Sequence, residues 1–197
     1  VSKRVMGLAF LIALAIPAGL IFAREGFNTR VRGRKDLEDL SIPMVGELPL
    51  KGKKRPFWQR WRKEEIIKQP NLVVADQQRD IINEAFRTVR TKLEFTMGFD
   101  GQNKVVMVTS MNPGSGKTFI TANLSTAYAL KGKRVLIMDL DLRKASLSEY
   151  VGNPQMGISN YLSGQIDDWH EIITPLGQVD CLPSGVIPPN PAELLST

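Results

Sequence analysis

The feature that most constrains the fold of this chain is a glycine-rich turn, "MNPGSGKT" at 111–118. The run before it, "KVVMVTS" at 104–110, is rich in β-branched residues and predicts a buried strand. The stretch after it, "FITANLSTAYAL", spaces its apolar residues as a helix does. A strand, such a turn, a Lys-Thr pair and a helix in this order are the context of a phosphate-binding loop. The sequence therefore predicts an α/β fold, with a P-loop NTPase-like parallel sheet flanked by helices.

Each part of the turn has a chemical reason. Gly114 and Gly116 let the backbone approach phosphate oxygens, and the N–H groups at the start of the helix point at the anion. Lys117 adds positive charge at the β- and γ-phosphates, and the Thr118 hydroxyl can bind Mg²⁺. The loop departs from the usual pattern because Met111 stands where the first glycine is expected. The residues predicted to bind nucleotide are Gly114, Ser115, Gly116, Lys117, Thr118 and Phe119.

A second polar cluster follows an apolar run in "VLIMDLDLRKASL" at 135–147. The run predicts a parallel neighbour of the first strand, and alternation along it places Asp139 and Asp141 on one face. Carboxylates at the C-terminal end of such a strand lie where α/β sheets bind ligands. They could hold Mg²⁺ or accept a proton from an attacking hydroxyl. The alternative is that one carboxylate caps a helix and the other is solvated.

An uncharged segment of nineteen residues, Val5 to Ala23, lies near the start of the chain. It is about long enough for a helix to cross a hydrocarbon core of roughly 30 Å. A signal peptide and the buried helix of a soluble domain are the alternatives. Few basic residues precede the segment and more follow it, so the positive-inside rule places its C-terminal side in the cytoplasm. The basic residues that follow are Arg24, Arg30, Arg32, Arg34 and Lys35.

The net charge of +6 is unevenly spread, because residues 1–68 carry 15 Lys and Arg against 7 Asp and Glu. Basic residues alternate with Phe57, Trp58 and Trp61 in the segment 51–70. Such a segment beside an apolar helix suits anionic lipid, and a solvated linker is the equal alternative. No pattern around it favours nucleic acid.

Cysteine and histidine are each represented once, by Cys181 and His170. A single cysteine excludes an intrachain disulfide and fits a reducing compartment. A single histidine without cysteine neighbours does not predict a zinc site.

Residues 78–95 predict an amphipathic helix before the glycine-rich turn. Its apolar stripe consists of Ile82, Ala85, Phe86, Val89 and Leu93. Glu84, Arg87 and Arg90 lie along the flank of the stripe. They predict either a surface ion pair or a row of charges that contacts a neighbouring subunit.

Together these motifs resemble the cytoplasmic part of the bacterial tyrosine kinases (BY-kinases), which act with polysaccharide co-polymerases in capsule and exopolysaccharide export. The similarity covers nearly the whole chain. The matching segments, in order, are "EAFRTVR" (84–90), "SMNPGSGKT" (110–118), "VLIMDLDLR" (135–143), "GISNYLSG" (157–164) and "LPSGVIPPNPAELL" (182–195).

The resemblance implies an ATP- and Mg²⁺-dependent protein-tyrosine autokinase whose protomers form a ring and phosphorylate one another. It implies that Lys117 and Thr118 bind phosphates and Mg²⁺, with Asp139 as base or metal partner and Asp141 supporting the metal. Glu84, Arg87 and Arg90 would make the ring contacts. The implied partners are other copies of the chain, the polysaccharide polymerisation and export machinery and the membrane, without nucleic acid.

The resemblance also implies a domain order in the inner (cytoplasmic) membrane. Residues 1–4 would end an extracytoplasmic region, 5–23 would span the membrane, 24–78 would form a basic juxtamembrane segment, and 79–197 would begin the kinase domain. The chain is then a fragment, with an earlier span before Val1 and with the Walker B strand and tyrosine cluster after Thr197. Two other classes remain open: a partitioning or cell-division-site ATPase, and a non-catalytic chain-length regulator.

Overall fold

The structure is a computed structural model that describes residues 3–27, 42–49, 72–75, 80–98 and 103–196. The chain divides into two compact units, Val1–Met44 and Val45–Thr197. The basic segment 51–70 lies outside the described residues.

The first unit is dominated by helix α1, Lys3–Gly26. Its 24 residues rise by about 36 Å, enough to cross the hydrocarbon part of a bilayer. Pro17 lies inside the helix without ending it, and large apolar side chains such as Phe10 and Phe22 are exposed. By length and composition α1 is the one candidate membrane span in the described part of the chain, although a signal sequence would share these properties. The helix predicted over 5–23 is confirmed as a helix.

The second unit combines helices with a small mixed sheet. Its principal helices are α2 (Ile81–Met97) and α3 (Lys117–Ala129), with two short helices, α4 (Ile158–Leu162) and α5 (Pro191–Leu194). The strands are β1 (Leu136–Met138), β2 (Thr174–Leu176) and β3 (Val179–Leu182), in the order β1-β3-β2. The described residues of this unit also contain two 3₁₀ turns, Ser148–Val151 and Trp169–Ile172.

Strand β3 is the centre of this sheet. It pairs in parallel with β1, where Ile137 faces Cys181, and antiparallel with β2, where Pro175 faces Asp180. Parallel strands need a crossover connection, which here contains α4 and both 3₁₀ turns. The α/β class predicted from the sequence is confirmed, but the sheet is mixed and not purely parallel, and the neighbour of β1 is β3 and not the run at 104–110.

Helix α3 packs between the sheet and α2. On one side Ala122 and Ala129 contact a cluster that contains Ile137 and Cys181, and such small side chains allow a helix to lie close to a sheet. On the other side Leu124 and Ala127 join a cluster with α2, which Val45 and Leu48 also contact. The stripe predicted for α2 is confirmed: Phe86 and Val89 are buried, while Ile82, Ala85 and Leu93 are partly buried.

The strand predicted over 104–110 is wrong for this structure, because residues 103–110 form no strand. Val105 and Met107 are 98% and 85% exposed. A strand exists only where a neighbouring strand accepts and donates its backbone hydrogen bonds. Within the described residues no strand pairs with this run, so its β-branched composition alone does not produce a ladder.

Two buried asparagines fix the extended segment 72–75 against the helices. Asn123 of α3 accepts hydrogen bonds from the N–H groups of Val73 and Val74 at 2.7 and 3.0 Å. Asn83 of α2 accepts from the Ala75 N–H at 3.1 Å and donates to the Val73 carbonyl at 3.2 Å. The side-chain amides therefore satisfy backbone groups that a sheet would otherwise satisfy.

Replacing Asn123 with Leu should release segment 72–75 from α3. Two buried N–H groups lose their acceptor, each at a cost of about 1–3 kcal/mol. Hydrogen exchange measured by mass spectrometry should become faster at Val73 and Val74. The matched control is Asn190→Ala, since the Asn190 amide bonds to the exposed Glu193. Unchanged exchange at both valines would contradict the role of Asn123.

Candidate functional site

The glycine-rich turn adopts a conformation that requires its glycines. Gly114 and Gly116 have φ angles of 77° and 92°, in the left-handed region that residues with a Cβ rarely adopt. The Ser115 hydroxyl donates to the Asn112 carbonyl at 2.6 Å and holds the turn closed. Met111, at the position of the expected first glycine, is fully exposed, so its side chain does not obstruct the loop.

Helix α3 starts directly at the end of this turn. Gly116 is the N-cap and Lys117 the first helical residue, and the Ile120 N–H donates to the Gly116 carbonyl at 2.9 Å. No side chain of the described residues caps this helix, and its first turn contains no acidic residue. The first N–H groups of a helix lack intrahelical acceptors and carry the positive end of the helix dipole. Lys117, Thr118 and Phe119 therefore present N–H groups where an anion is stabilised.

The two aspartates after β1 lie in different environments, so the prediction that they share one face is wrong. Asp139 is 4% exposed, whereas Asp141 is exposed. Alternation fails because β1 ends at Met138 and the chain turns at 142–144. The Asp141 carboxylate accepts from the Lys144 N–H at 3.2 Å and so closes the turn at 142–144; it does not cap a helix, as the alternative prediction had it.

The Asp139 carboxylate is held by Ser148, which sequence reasoning missed. Its Oδ2 accepts from the Ser148 N–H at 2.8 Å and from the Ser148 hydroxyl at 2.7 Å. Its Oδ1 accepts a longer bond, 3.3 Å, from the Asp141 N–H. Ser184 N–H donates to the Ser148 Oγ at 2.8 Å, and both serines are buried. No local spacing could reveal this cluster, because Ser148 and Ser184 lie far apart in the sequence.

The cluster is completed by a close approach of two segments that the sequence singled out. The Ile158 N–H donates to the Pro183 carbonyl at 2.8 Å, and the Ser159 N–H to the Ser184 carbonyl at 3.0 Å. Gly157 has no room for a side chain, since a Cβ there would lie 2.5 Å from the Pro183 oxygen. "GISNYLSG" and "LPSG" are therefore two halves of one packed unit around Ser184.

Chain topology places the glycine-rich turn and Asp139 at the same end of the strands. Helix α3 is followed by a tight turn and then by β1, which packs on it, so the two run in opposite directions. The end of β1 thus lies on the side of the α3 N-terminus. Among the described residues, no hydrogen bond or salt bridge joins Lys117 or Thr118 to either aspartate.

The oxygen groups of this site suit Mg²⁺ in a nucleotide complex. Mg²⁺ prefers hard oxygen ligands and usually binds through one or two carboxylates, substrate phosphates and water. Thr118, Asp139 and Asp141 supply one hydroxyl and two carboxylates. No group of three or more His, Cys, Asp or Glu suited to a metal occurs in the described ranges.

The three predicted subunit-contact residues do not form a uniform row. Glu84 is exposed and Arg87 partly exposed; both line an open depression with Asp80 and Ile81. In the described part of the chain, Glu84 and Arg87 form no salt bridge with each other. Arg90 instead points into the protein, where its Nη1 donates to the Ala127 carbonyl at 2.7 Å. Its buried Nε has no partner among the described atoms.

Comparison with known proteins identifies the nucleotide-binding part and the relatives. Residues 106–178 match the CobQ/CobB/MinD/ParA nucleotide binding domain. A putative tyrosine-protein kinase, AmsA of Erwinia amylovora, is 31% identical over 95% of this chain and 27% of its own length. The tyrosine-protein kinase YwqD of Bacillus subtilis is 37% identical over 66% of this chain and 55% of its own length.

The similarity extends to solved structures. The kinase domain of the Escherichia coli tyrosine kinase ETK aligns with a TM-score of 0.66 at 31% identity, covering 83% of this chain and 63% of that one. The chain spans about a quarter of the length of the first curated relatives.

Cys181 of β3 lies opposite Ile137 of β1 and is completely buried. Burial, and secondarily the negative charge of Asp139, raises the pKa of its thiol to about 12. A thiol with this pKa stays protonated at neutral pH and is a poor nucleophile. Cys181 is therefore a packing residue of β3.

The stability of the protein should fall as pH rises from about 9 toward 12. Over this interval the unfolded thiol, whose ordinary pKa is 9.0, loses its proton while the folded thiol, with its pKa near 12, keeps it. Cys181→Ala should flatten this part of the melting-temperature profile. Asp139→Asn should flatten it less, because the Asp139 charge is the smaller cause. Superimposable profiles of the Cys181→Ala variant and the wild type would contradict the pKa shift.

Proposed function

Because the chain belongs to the family of bacterial tyrosine kinases, we propose that it is part of an ATP-dependent protein-tyrosine autokinase that regulates polymerisation and export of capsular or extracellular polysaccharide. The observation that carries the proposal is the turn at Gly114 and Gly116, which leads directly into the N-terminus of α3. Such a turn and helix bind the phosphates of a nucleotide.

The proposed roles follow from the chemistry of phosphoryl transfer. Negative charge on the transferred group must be balanced by fixed positive groups. Lys117 provides a full charge, and the N–H groups from Gly114 to Phe119 provide partial charges. Mg²⁺, held by Thr118 and the aspartates, would supply further neutralisation when bound with ATP.

Asp139 and Asp141 have complementary surroundings for their proposed roles. Asp139 is fixed through Oδ2, while its Oδ1 has a single long bond, so this oxygen remains the better acceptor for a metal ligand or a tyrosine proton. Asp141 is exposed and can reach a hydrated cation. In this proposal, Asp139 orients the acceptor hydroxyl or metal and Asp141 supports the metal.

The proposed assembly is a ring in which protomers phosphorylate tyrosines of their neighbours. Glu84 and Arg87, which lie at the surface of α2, are proposed as the subunit contact. Arg90 was expected in the same role, and its bond to Ala127 adds a role inside the protomer. The proposed location is the inner membrane, with α1 as the span and residues 24–197 in the cytoplasm.

The two other classes differ from this proposal in specific ways. A partitioning ATPase shares the nucleotide-binding domain, but the tyrosine kinases match over 95% of the chain, far more than that domain. A non-catalytic chain-length regulator would have the same fold but no kinase activity. The gene sequence after Thr197 would discriminate between these classes. A strand ending in D-x-P-P and followed by clustered tyrosines would favour the kinase.

Lys117→Met in the full-length protein should abolish tyrosine autophosphorylation, since a neutral side chain cannot balance phosphate charge during transfer. Asp139→Asn keeps the size of the side chain and removes the carboxylate. It should lower phosphotyrosine by about 10²- to 10⁴-fold while ADP still binds. Phosphotyrosine is measured by blot and ADP affinity by calorimetry.

Lys133→Met is the control for Lys117→Met, because Lys133 is an exposed lysine in the turn after α3. Normal phosphotyrosine in Lys117→Met would refute the kinase proposal. If only Asp139→Asn keeps a normal phosphotyrosine level, the catalytic role proposed for Asp139 belongs to Asp141 or to a residue after Thr197.

Arg87→Ala and Arg90→Ala should differ in their effects. Arg87→Ala should shift rings toward monomers in sedimentation with an unchanged melting temperature. Arg90→Ala should lower the melting temperature as well, because a charge-assisted hydrogen bond of about 1.5–3 kcal/mol is lost from the end of α3. Lys92→Ala, an exposed change on the same helix, is the control. Equal melting temperatures for the two arginine variants would contradict the internal role of Arg90.

A further inference from the structure

Two buried serines, Ser148 and Ser184, lie beside Asp139, and Ser148 makes more hydrogen bonds to this carboxylate than closing the turn requires. Ser148 supplies both of the hydrogen bonds on Asp139 Oδ2, one from its backbone and one from its hydroxyl. Ser148 and Ser184 are 2% and 0% exposed. A turn alone could be closed by the backbone bond, so the hydroxyl bond serves the carboxylate itself.

The direction of the hydrogen bonds can be assigned from donor capacity. An ionised carboxylate only accepts, so the single proton of the Ser148 hydroxyl points at Asp139. The Ser148 oxygen then accepts from the Ser184 N–H at 2.8 Å and faces the Ser184 hydroxyl at 3.0 Å. The single Ser184 hydroxyl proton has two acceptors within reach, the Ser148 oxygen at 3.0 Å and the Gly185 carbonyl at 3.3 Å, so the fixed donor to Ser148 is the Ser184 N–H. The result is a directed chain from Ser184 to Ser148 to Asp139, in which each bond strengthens the next.

No described cation neutralises Asp139 within hydrogen-bonding distance. The carboxylate is stabilised by dipoles only, from Ser148 and from the Asp141 N–H. These bonds select one orientation of the carboxylate plane, with Oδ2 toward the serines and Oδ1 toward the Asp141 backbone. A carboxylate that must bind a hydrated cation with defined geometry needs such an outer support.

We propose that Ser148, oriented by Ser184, is a positioning residue that fixes the Asp139 carboxylate for binding of the Mg²⁺–nucleotide complex. The inference rests on the proposed function, because it assumes that Asp139 acts on that complex. Ser148 itself touches neither nucleotide nor metal in this proposal. Its hydroxyl acts only through Oδ2 of Asp139.

The test compares ADP affinity in Mg²⁺ with ADP affinity in EDTA, measured by calorimetry on the full-length protein. Ser148→Ala removes the hydroxyl bond and keeps the backbone bond. It should lower the ratio of the two affinities by about tenfold, the lower end of the usual effect of losing an outer-shell partner. Affinity in EDTA should not change, because the loop and α3 are intact. Ser148→Thr keeps the hydroxyl and should recover most of the ratio.

Ser159→Ala is the matched control, since Ser159 is a buried serine of the same packed unit whose hydroxyl does not contact Asp139. It should leave the ratio at the wild-type value. If Ser148→Ala does not fold, Ser148→Cys provides the second test. Its thiol is close to the hydroxyl in size but is only a weak donor, so a fall of the ratio is again expected.

Three results would overturn the inference. They are an unchanged ratio in a folded Ser148→Ala or Ser148→Cys variant, an equal loss of affinity with and without Mg²⁺, and no recovery in a folded Ser148→Thr variant. The proposed function fails separately if the wild-type protein neither binds ADP nor forms phosphotyrosine. A wild type that does both, with an unaffected Ser148→Ala variant, refutes the positioning role alone.

Discussion

The placement of α3 is the constraint on which the rest of the structure depends. Its N-terminus carries the glycine-rich turn, one of its sides covers β1 and β3, and its other side covers α2. The contact with the sheet uses alanines, which allow close packing and leave little room for adjustment. Where α3 lies therefore decides where Lys117 lies relative to the end of β1.

The motifs of this site could be read from the sequence because they are local. The left-handed Gly114 and Gly116, the start of α3 at Lys117 and the buried face of α2 each follow from spacings within a few residues. The environment of Asp139 could not be read in this way, because Ser148 and Ser184 reach it through a turn and through the neighbouring strand. Arg90 is a similar case, since its acceptor is a carbonyl of another helix. Periodicity shows that a charge lies off the apolar stripe but not what it contacts.

The wrong prediction of a strand at 104–110 has a related cause. Strand propensity describes side chains that fit a pleated, half-buried surface, and it acts only where pairing partners exist. In β1, by contrast, a run of similar composition pairs with β3, and Ile137 becomes buried. Val105 lies in an equally apolar run and is almost fully exposed. The difference between the two runs is the neighbouring strand, which is a property of the fold and not of the segment.

Arg90 connects the proposed assembly surface with the proposed nucleotide site. It lies on α2 one turn after Arg87, and its guanidinium binds a carbonyl in the last turn of α3. A cation at this end stabilises a helix, because the free carbonyls carry the negative end of its dipole. The opposite end of the same helix would stabilise phosphate with its free N–H groups.

A contact that moves α2 would therefore also act on α3. The C-terminal end of α3 is bound by the Arg90 guanidinium, and its N-terminal end is the proposed binding site for phosphate. Because α3 is a single helix of 13 residues, a displacement at Ala127 would change the position of Lys117 and Thr118 relative to a bound nucleotide. The proposed assembly and the proposed phosphate binding would thus depend on one helix, and Arg90 is the side chain through which the first could influence the second.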